Sequence, residues 1–279
     1  MLHLYNNVSY KISKIVTRSY STSFSIAVSF LPSETRNAVY SIYGFVRLAD
    51  EIVDTFHDYD KKKLLTDFEH DYYKAYKDDI SLNPILHSFQ QTVKKYRIPD
   101  TLIQAFLESM KADLYKNGSY TKQEFDHYIF GSAEAVGLMC LCVFVNGNAK
   151  LYNKLKDPAR KLGSAFQKVN FLRDLKNDVH DLGRSYFPDI DLHEFNEVVK
   201  DKIIRDIEAD FSASLPGIKN LPGNARLPVL VAYYYYLGLL QKIRSTPAEK
   251  LIRTRIRVHN LRKLFLLNKA YFAVKMRLI

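Results

Sequence analysis

Tryptophan is absent from this 279-residue chain, and cysteine, proline and glycine are scarce at 2, 9 and 10 residues. So few turn formers exclude a β-sandwich or barrel, which needs a turn signal every ~8–12 residues. Cys140 and Cys142 stand two positions apart in an apolar run. On a helix they point away from each other, so no mutual disulfide is expected, and a structural zinc site lacks ligands. A reducing, cytoplasmic compartment is the expectation. The longest apolar stretch, Gly137 to Val145, falls far short of the ~20 residues that span a bilayer. The N-terminus, Met1-Leu2-His3-Leu4-Tyr5-Asn6-Asn7, turns polar at once and has no signal-peptide core. There is no phosphate-cradling or dinucleotide-binding glycine motif and no nucleophile elbow, and no histidine pair has H-E-x-x-H spacing. His180 reads as a surface residue.

What is present is apolar and aromatic: 47% hydrophobic residues, 20 Tyr and 17 Phe, enough for a sizeable core. Nearly every segment reads as helix. Ser33 is expected to cap a helix reaching about Thr55, with Val39, Ile42, Tyr43, Val46 and Ala49 at helical spacing. Asp60, Asn83-Pro84 and Pro99-Asp100 open three more. Thr121-Lys122-Gln123-Glu124 is a capping box, opening an apolar helix that closes near Asn146-Gly147. Asp157-Pro158 reads as a cap with proline at the first helical position, for a helix ending at Gly183. Loops are expected at Leu215-Pro216-Gly217 and Leu221-Pro222-Gly223-Asn224, with two further helices in the tail. The expected architecture is all-α, with residues 1–279 forming one domain.

Charge is distributed unevenly. The chain carries +11, yet from Gln241 to Ile279 there are eleven cations and one acid, Glu249. Interleaved Leu, Ile, Val, Phe and Tyr make this tail basic and amphipathic. A solvated helical face, contact with anionic lipid headgroups and nucleic-acid binding compete as readings. No nucleic-acid motif accompanies the charge, so that partner ranks last and none is expected.

Two segments place carboxylates one helical turn apart among apolar neighbours. In Arg47-Leu48-Ala49-Asp50-Glu51-Ile52-Val53-Asp54, Asp50 and Asp54 share a face, joined by Arg47 three residues before Asp50. In the second, Gln167, Asn170, Asp174 and Asp178 fall within about 80° of one another at 100° per residue, beside Phe171, Leu172, Leu175 and Val179. One Asp-x-x-x-Asp alone is ordinarily an exposed helix edge. Like charges at this spacing repel, so two such stripes with apolar neighbours call for a cation. Oxygen-only ligands in small number, with arginines nearby, suit Mg²⁺ bridging a phosphate ester. Acidic clamps in an aromatic helical cavity suit loss of diphosphate from an allylic carbon: cations stabilise the leaving group and aromatic faces shelter the carbocation.

At these residues the chain resembles the squalene/phytoene synthase family of head-to-head prenyl transferases, from roughly Tyr20 to Leu264. The first acidic motif matches Asp50-Glu51-Ile52-Val53-Asp54, preceded by Tyr43 and Arg47. The second matches Gln167, Asn170, Leu172-Arg173-Asp174 and Asp178, followed by Gly183-Arg184-Ser185-Tyr186-Phe187-Pro188. Tyr20-Ser21-Thr22-Ser23-Phe24-Ser25 resembles a diphosphate-contacting segment. Tyr128 through Gly137-Leu138-Met139 resembles the family's central tyrosine helix, although Ser132-Ala133-Glu134 replaces a small apolar run. Tyr236-Leu237-Gly238-Leu239-Leu240 resembles a late helix whose tyrosine faces substrate, and Arg255 to Leu264 the family's basic end.

The resemblance implies an all-α isoprenoid-synthase bundle around a central cavity that binds two prenyl diphosphates with Mg²⁺, or Mn²⁺ in its place. It implies Asp50, Asp54, Asn170, Asp174 and Asp178 as metal ligands. The same aspartates would be catalytic, with Tyr128 and Tyr236. Substrate contacts would come from Tyr20, Ser21, Ser23, Tyr43, Arg47, Gln167, Arg173, Arg184, Tyr186 and Arg255. Tyr20 is assigned only hydrogen bonding or packing, because many relatives have a histidine there and a neutral phenol is no cation. Glu51 and Val53 look closer to the phytoene-forming type, which joins two C20 geranylgeranyl diphosphates without NADPH. C15-using squalene or dehydrosqualene synthesis is the alternative, and a non-catalytic helical scaffold is the alternative of another class. The basic tail is expected to permit peripheral contact with anionic membrane.

Overall fold

A computed structural model describes residues 1–115, 118–180, 184–188 and 195–276; the side chains of 118–119, 177–180, 184–185 and 260–261 also fall outside the description. The helices are α1 (Leu2–Tyr20), α2 (Thr22–Ser29), α3 (Ser33–Asp54), α4 (Lys61–Asp78), α5 (Pro84–Tyr96), α6 (Asp100–Tyr115), α7 (Lys122–Ile129), α8 (Ala135–Val145), α9 (Ala149–His180), α10 (Glu197–Lys219), α11 (Gly223–Arg244), α12 (Ala248–Arg253) and α13 (Asn260–Lys275). Among the described residues the only strand pairing is a two-residue parallel one, Gly118–Ser119 with Arg184–Ser185. The all-α expectation is met.

Several starts follow the capping chemistry foreseen. Asp60 accepts from Lys63 N, Asn83 from Ile85 N and Leu86 N, and Thr121 and Glu124 complete their capping box. Elsewhere the structure corrects the sequence reading. Ser33 is not the cap of α3: the chain enters through Pro32, whose carbonyl accepts from Arg36 N, so Ser33 is already helical. Asp157-Pro158 starts nothing. It lies inside α9, which is capped at Asn148, whose Oδ1 accepts from Leu151 N at 2.9 Å. Leu215-Pro216-Gly217 is likewise inside α10 rather than a loop. The two errors share one cause. A Cβ built on Gly217 would stand 2.3 Å from Pro158 Cβ, so the bare glycine backbone of α10 receives the proline of α9. That packing offsets the hydrogen bond the proline forfeits. The expected end at Gly183 lies outside the described residues; α9 runs to His180.

α7 continues into α8 through one π-helical turn, Phe130–Glu134. Gly131 makes this possible, since a Cβ there would meet Ala105 O at 2.3 Å. Counted through the turn, Lys122–Val145 is 24 residues and apolar enough to cross a membrane by length and composition, longer than the sequence suggested. Ala135 and Met139 are fully buried, however, which is the position of a core helix.

Two hydrophobic clusters form the interior. The first gathers α3 to α6 with α8 and centres on Phe45, stacked on Phe89 at 3.9 Å. The second gathers α7 and α9 to α13 around Ile204, Ile207 and Leu240. α1 lies on α3 and α5 through small side chains, with Ser13 hydrogen-bonded to Ser88 at 2.8 Å. A cavity of about 570 Å³ draws its wall from both clusters.

Candidate active site

α3 and α9 each present one stripe to this cavity. On α3 it runs Val39, Ile42, Tyr43, Val46, Arg47, Asp50, Val53 and Asp54; on α9 it runs from Leu155 through Leu162 and Phe166 to Gln167, Asn170, Arg173 and Asp174. Both follow the i, i+3, i+4 repeat of one helical face, and both turn from apolar to polar toward the helix C-terminus. The two acidic motifs thus open onto a single hollow. Asp178 continues the α9 stripe by one turn, but its side chain and that of Arg184 lie outside the described residues.

The carboxylates differ in charge balance. Asp50 is walled in by protein, and this desolvation, reinforced by Asp54, pushes its carboxyl up to about 7 against the opposing pull of Arg47. Arg47 lines the same cavity face as Asp50 and Asp54, as expected, and forms its ion pair with Glu51, one turn along the same helix. Asp174 is instead gripped, by Arg255 Nε at 2.7 Å and by Arg173 Nε at 3.0 Å. Tyr20 packs its ring 4.3 Å from the Arg47 guanidinium, a cation–π contact consistent with its packing assignment.

Of the four buried side-chain polar atoms without a hydrogen-bond partner among the described residues, two belong to residues that line the cavity: Arg47 Nε and Asn170 Oδ1. Such groups are costly unless something else satisfies them. Asn170 Oδ1 and the charge-strained Asp50 are hard oxygen donors, the type Mg²⁺ takes. No three His, Cys, Asp or Glu side chains among the described residues gather to hold a metal by themselves. Hard oxygen donors beside arginines fit Mg²⁺, which takes its remaining ligands from phosphate and water.

Beyond the polar end the wall is aromatic. Phe166 stacks on Tyr236 at 4.0 Å and Phe171 on Tyr186 at 4.0 Å, while Phe24 lies 5.1 Å from Tyr43. Burial, with Asp50 also contributing against Arg47, raises the Tyr43 phenol to about 12. Of the expected contact residues, Tyr20, Ser21, Tyr43, Arg47, Gln167, Arg173, Tyr186 and Arg255 line the cavity, as do Tyr128 and Tyr236. Ser23 does not. α2 turns Ser21, Phe24 and Val28 inward, and Ser23 sits about 200° round the helix from Ser21.

Asp113 of α6 was missed. It is 5% exposed, lines the cavity and accepts from Tyr128 Oη at 2.6 Å and Tyr120 Oη at 3.4 Å. Burial and then Asp113 push the Tyr128 phenol well up, so it stays a protonated donor at neutral pH. A lone acid on an amphipathic helix gives no signal in the chain, because its partners come from the next two segments. Asp113→Asn is expected to lower kcat by about tenfold, within the ~10² that a misplaced group costs, with little change in KM. Steady-state kinetics on the two proteins checks this; an unchanged kcat would show that Tyr128 needs no such support.

A profile described as Squalene/phytoene synthase matches residues 17–262. The 4,4'-diapophytoene synthase of Staphylococcus haemolyticus is 26% identical over 205 residues, covering 72% of this chain and 70% of that protein. The 15-cis-phytoene synthase of Synechocystis is 28% identical over 271 residues, covering 85% and 77%. A ligand-bound dehydrosqualene synthase crystal structure superposes with a TM-score of 0.83 at 20% identity, over 97% of this chain and 98% of that one.

Proposed function

The chain belongs to the squalene/phytoene synthase family, and on that premise we propose that it is a phytoene synthase, joining two C20 geranylgeranyl diphosphates head to head. The observation that carries an enzymatic reading is that both acidic stripes open onto one aromatic-walled cavity. A scaffold that merely shared the fold would be under no constraint to keep them. The kinship with phytoene and diapophytoene synthases supports the carotenoid branch.

Asp50, Asp54, Asn170 and Asp174, with Asp178, are the residues that would hold Mg²⁺, which supplies charge neutralisation for the departing diphosphate. Arg47, Arg173 and Arg255 present guanidinium groups to the same oxygens. Arg173 and Arg255, resting on Asp174 in this structure, would transfer to phosphate when substrate enters. The donor's C–O bond breaks, releasing diphosphate. The acceptor's double bond attacks the allylic cation, and loss of a proton closes a cyclopropylcarbinyl diphosphate. Its own C–O bond then breaks, the skeleton rearranges and a second proton leaves. Phe166, Tyr236, Phe171 and Tyr186 offer aromatic faces to the cationic stages and exclude water.

The likeness to a dehydrosqualene synthase structure favours a second reading, condensation of two C15 farnesyl diphosphates. Extracting the hydrocarbon made by the pure protein with Mg²⁺ and each diphosphate, with and without NADPH, separates the two. A C40 hydrocarbon from geranylgeranyl diphosphate, formed equally without NADPH, is expected. A C30 product alone would overturn the C20 assignment. Absence of both hydrocarbon and diphosphate release would overturn the enzymatic one.

A further inference from the structure

α13 is apolar on two sides but covered on one. Its inner face, Leu266, Ala270 and Ala273, is buried at 8%, 0% and 7% exposure, with Leu266 fitted against Gly238 of α11. The opposite face carries Leu264, Phe265, Tyr271, Phe272 and Met276, exposed at 56%, 67%, 46%, 55% and 65%. Their spacing, i, i+1, i+7, i+8 and i+12, is one helical stripe, about 18 Å long at 1.5 Å per residue. Large aromatic and aliphatic side chains in such a row mark a surface that meets a partner.

The surrounding charge identifies the partner. From Lys250 to the last residue there is no acid, whereas Arg262, Lys269 and Lys275 stand beside or within the apolar row. A second copy of this chain would bring cations against cations across a two-fold axis. We infer that the outer face of α13 is an interfacial membrane-docking surface: the aromatic row enters the headgroup–acyl boundary and the flanking cations bind anionic lipid headgroups. The inference deepens the proposed function, since a hydrocarbon product has to leave water for a bilayer, but the surface stands on its own residues.

The test is sedimentation of the full chain with phosphatidylcholine vesicles, alone and mixed with phosphatidylglycerol, at low and high salt. Binding to the anionic vesicles is expected, weakened by salt and by Lys269→Glu/Lys275→Glu. Phe265→Ser/Phe272→Ser should lower the partition coefficient by about tenfold or more, while keeping activity in detergent and an unchanged far-UV circular dichroism spectrum. Vesicle binding needs no turnover, so a chain that neither makes hydrocarbon nor releases diphosphate, yet binds anionic vesicles, would leave this inference standing and overturn the enzymatic reading. No binding to anionic vesicles, equal binding by the double phenylalanine variant, or a wild-type dimer that this variant converts to monomer would overturn the inference.

Discussion

Asp50→Asn is expected to cut prenyl-diphosphate turnover by about 10²–10³-fold and, in divalent-free buffer at pH 8, to raise the melting temperature. The opposite signs come from one cause. Desolvation and the neighbouring Asp54 hold the Asp50 carboxyl up near 7, whereas the unfolded chain releases the same proton near pH 4. Between those values the folded state keeps a proton that the unfolded state has lost, so stability falls as pH rises, and above 7 the folded chain carries the full cost of the buried charge. The amide has no charge to bury. A gain of about 2–6 °C, at roughly 2–4 °C per kcal/mol for a chain of this size, should be seen at pH 8 and should fade toward pH 4. Mg²⁺ should stabilise the wild type more than the variant. Differential scanning calorimetry across pH checks this; a variant less stable than wild type at pH 8 would mean that Asp50 is a structural partner and not a poised ligand.

Lys168→Met is expected to destabilise the fold by about 2–4 kcal/mol, most of what breaking a buried ion pair costs. Lys168 lies on the back of α9, its ammonium 2.7 Å from Asp210 and 2.5 Å from Asp206 of α10, with Ser164 donating to Asp210 at 2.7 Å and Lys161 reaching it at 2.9 Å. Burial alone would lower the Lys168 pKa and raise that of Asp210; the hydrogen bonds between them outweigh burial and shift each the other way. Asp210 therefore contributes stability that is present above pH 4 and is lost as pH falls through its depressed folded value. Lys168→Met leaves Asp210 in the interior with two of its three side-chain partners, whereas Lys168→Met/Asp210→Leu removes the stranded charge and should recover much of the loss. Urea titration of the three proteins distinguishes these outcomes. A single variant within 0.5 kcal/mol of wild type, about the usual effect of a surface change, would show that the pair does not anchor α9 to α10.

The acidic stripes were legible because they obey the simplest rule of helix geometry: positions four apart share a face, and Asp50, Asp54, Asn170 and Asp174 do so inside the cavity. The helix starts at Asp60, Asn83 and Thr121 were legible because a side-chain oxygen must meet free backbone amides there. What failed was inference from proline. Pro158 and Pro216 looked like boundaries, but neighbouring helices settle whether a proline ends a helix, and Gly217 of α10 is shaped to accept Pro158. The π turn at Phe130–Glu134 was invisible for a similar reason, since its cause is the contact of Gly131 with α6. Asp113 and the pairing of Arg47 with Glu51 depend on rotamers and on chain segments far apart, which spacing along the chain does not encode.

Diphosphate release by wild type, Asp50→Asn, Asp174→Asn and the double variant, with Mg²⁺ and geranylgeranyl diphosphate, examines most directly whether the two stripes work as one clamp. Residues acting as a unit are strongly non-additive. Each single variant should therefore lose nearly all Mg²⁺-dependent release, and the double variant should be hardly worse than either. Normal release by either single variant, or losses that simply multiply in the double, would show that α3 and α9 do not grip a common diphosphate.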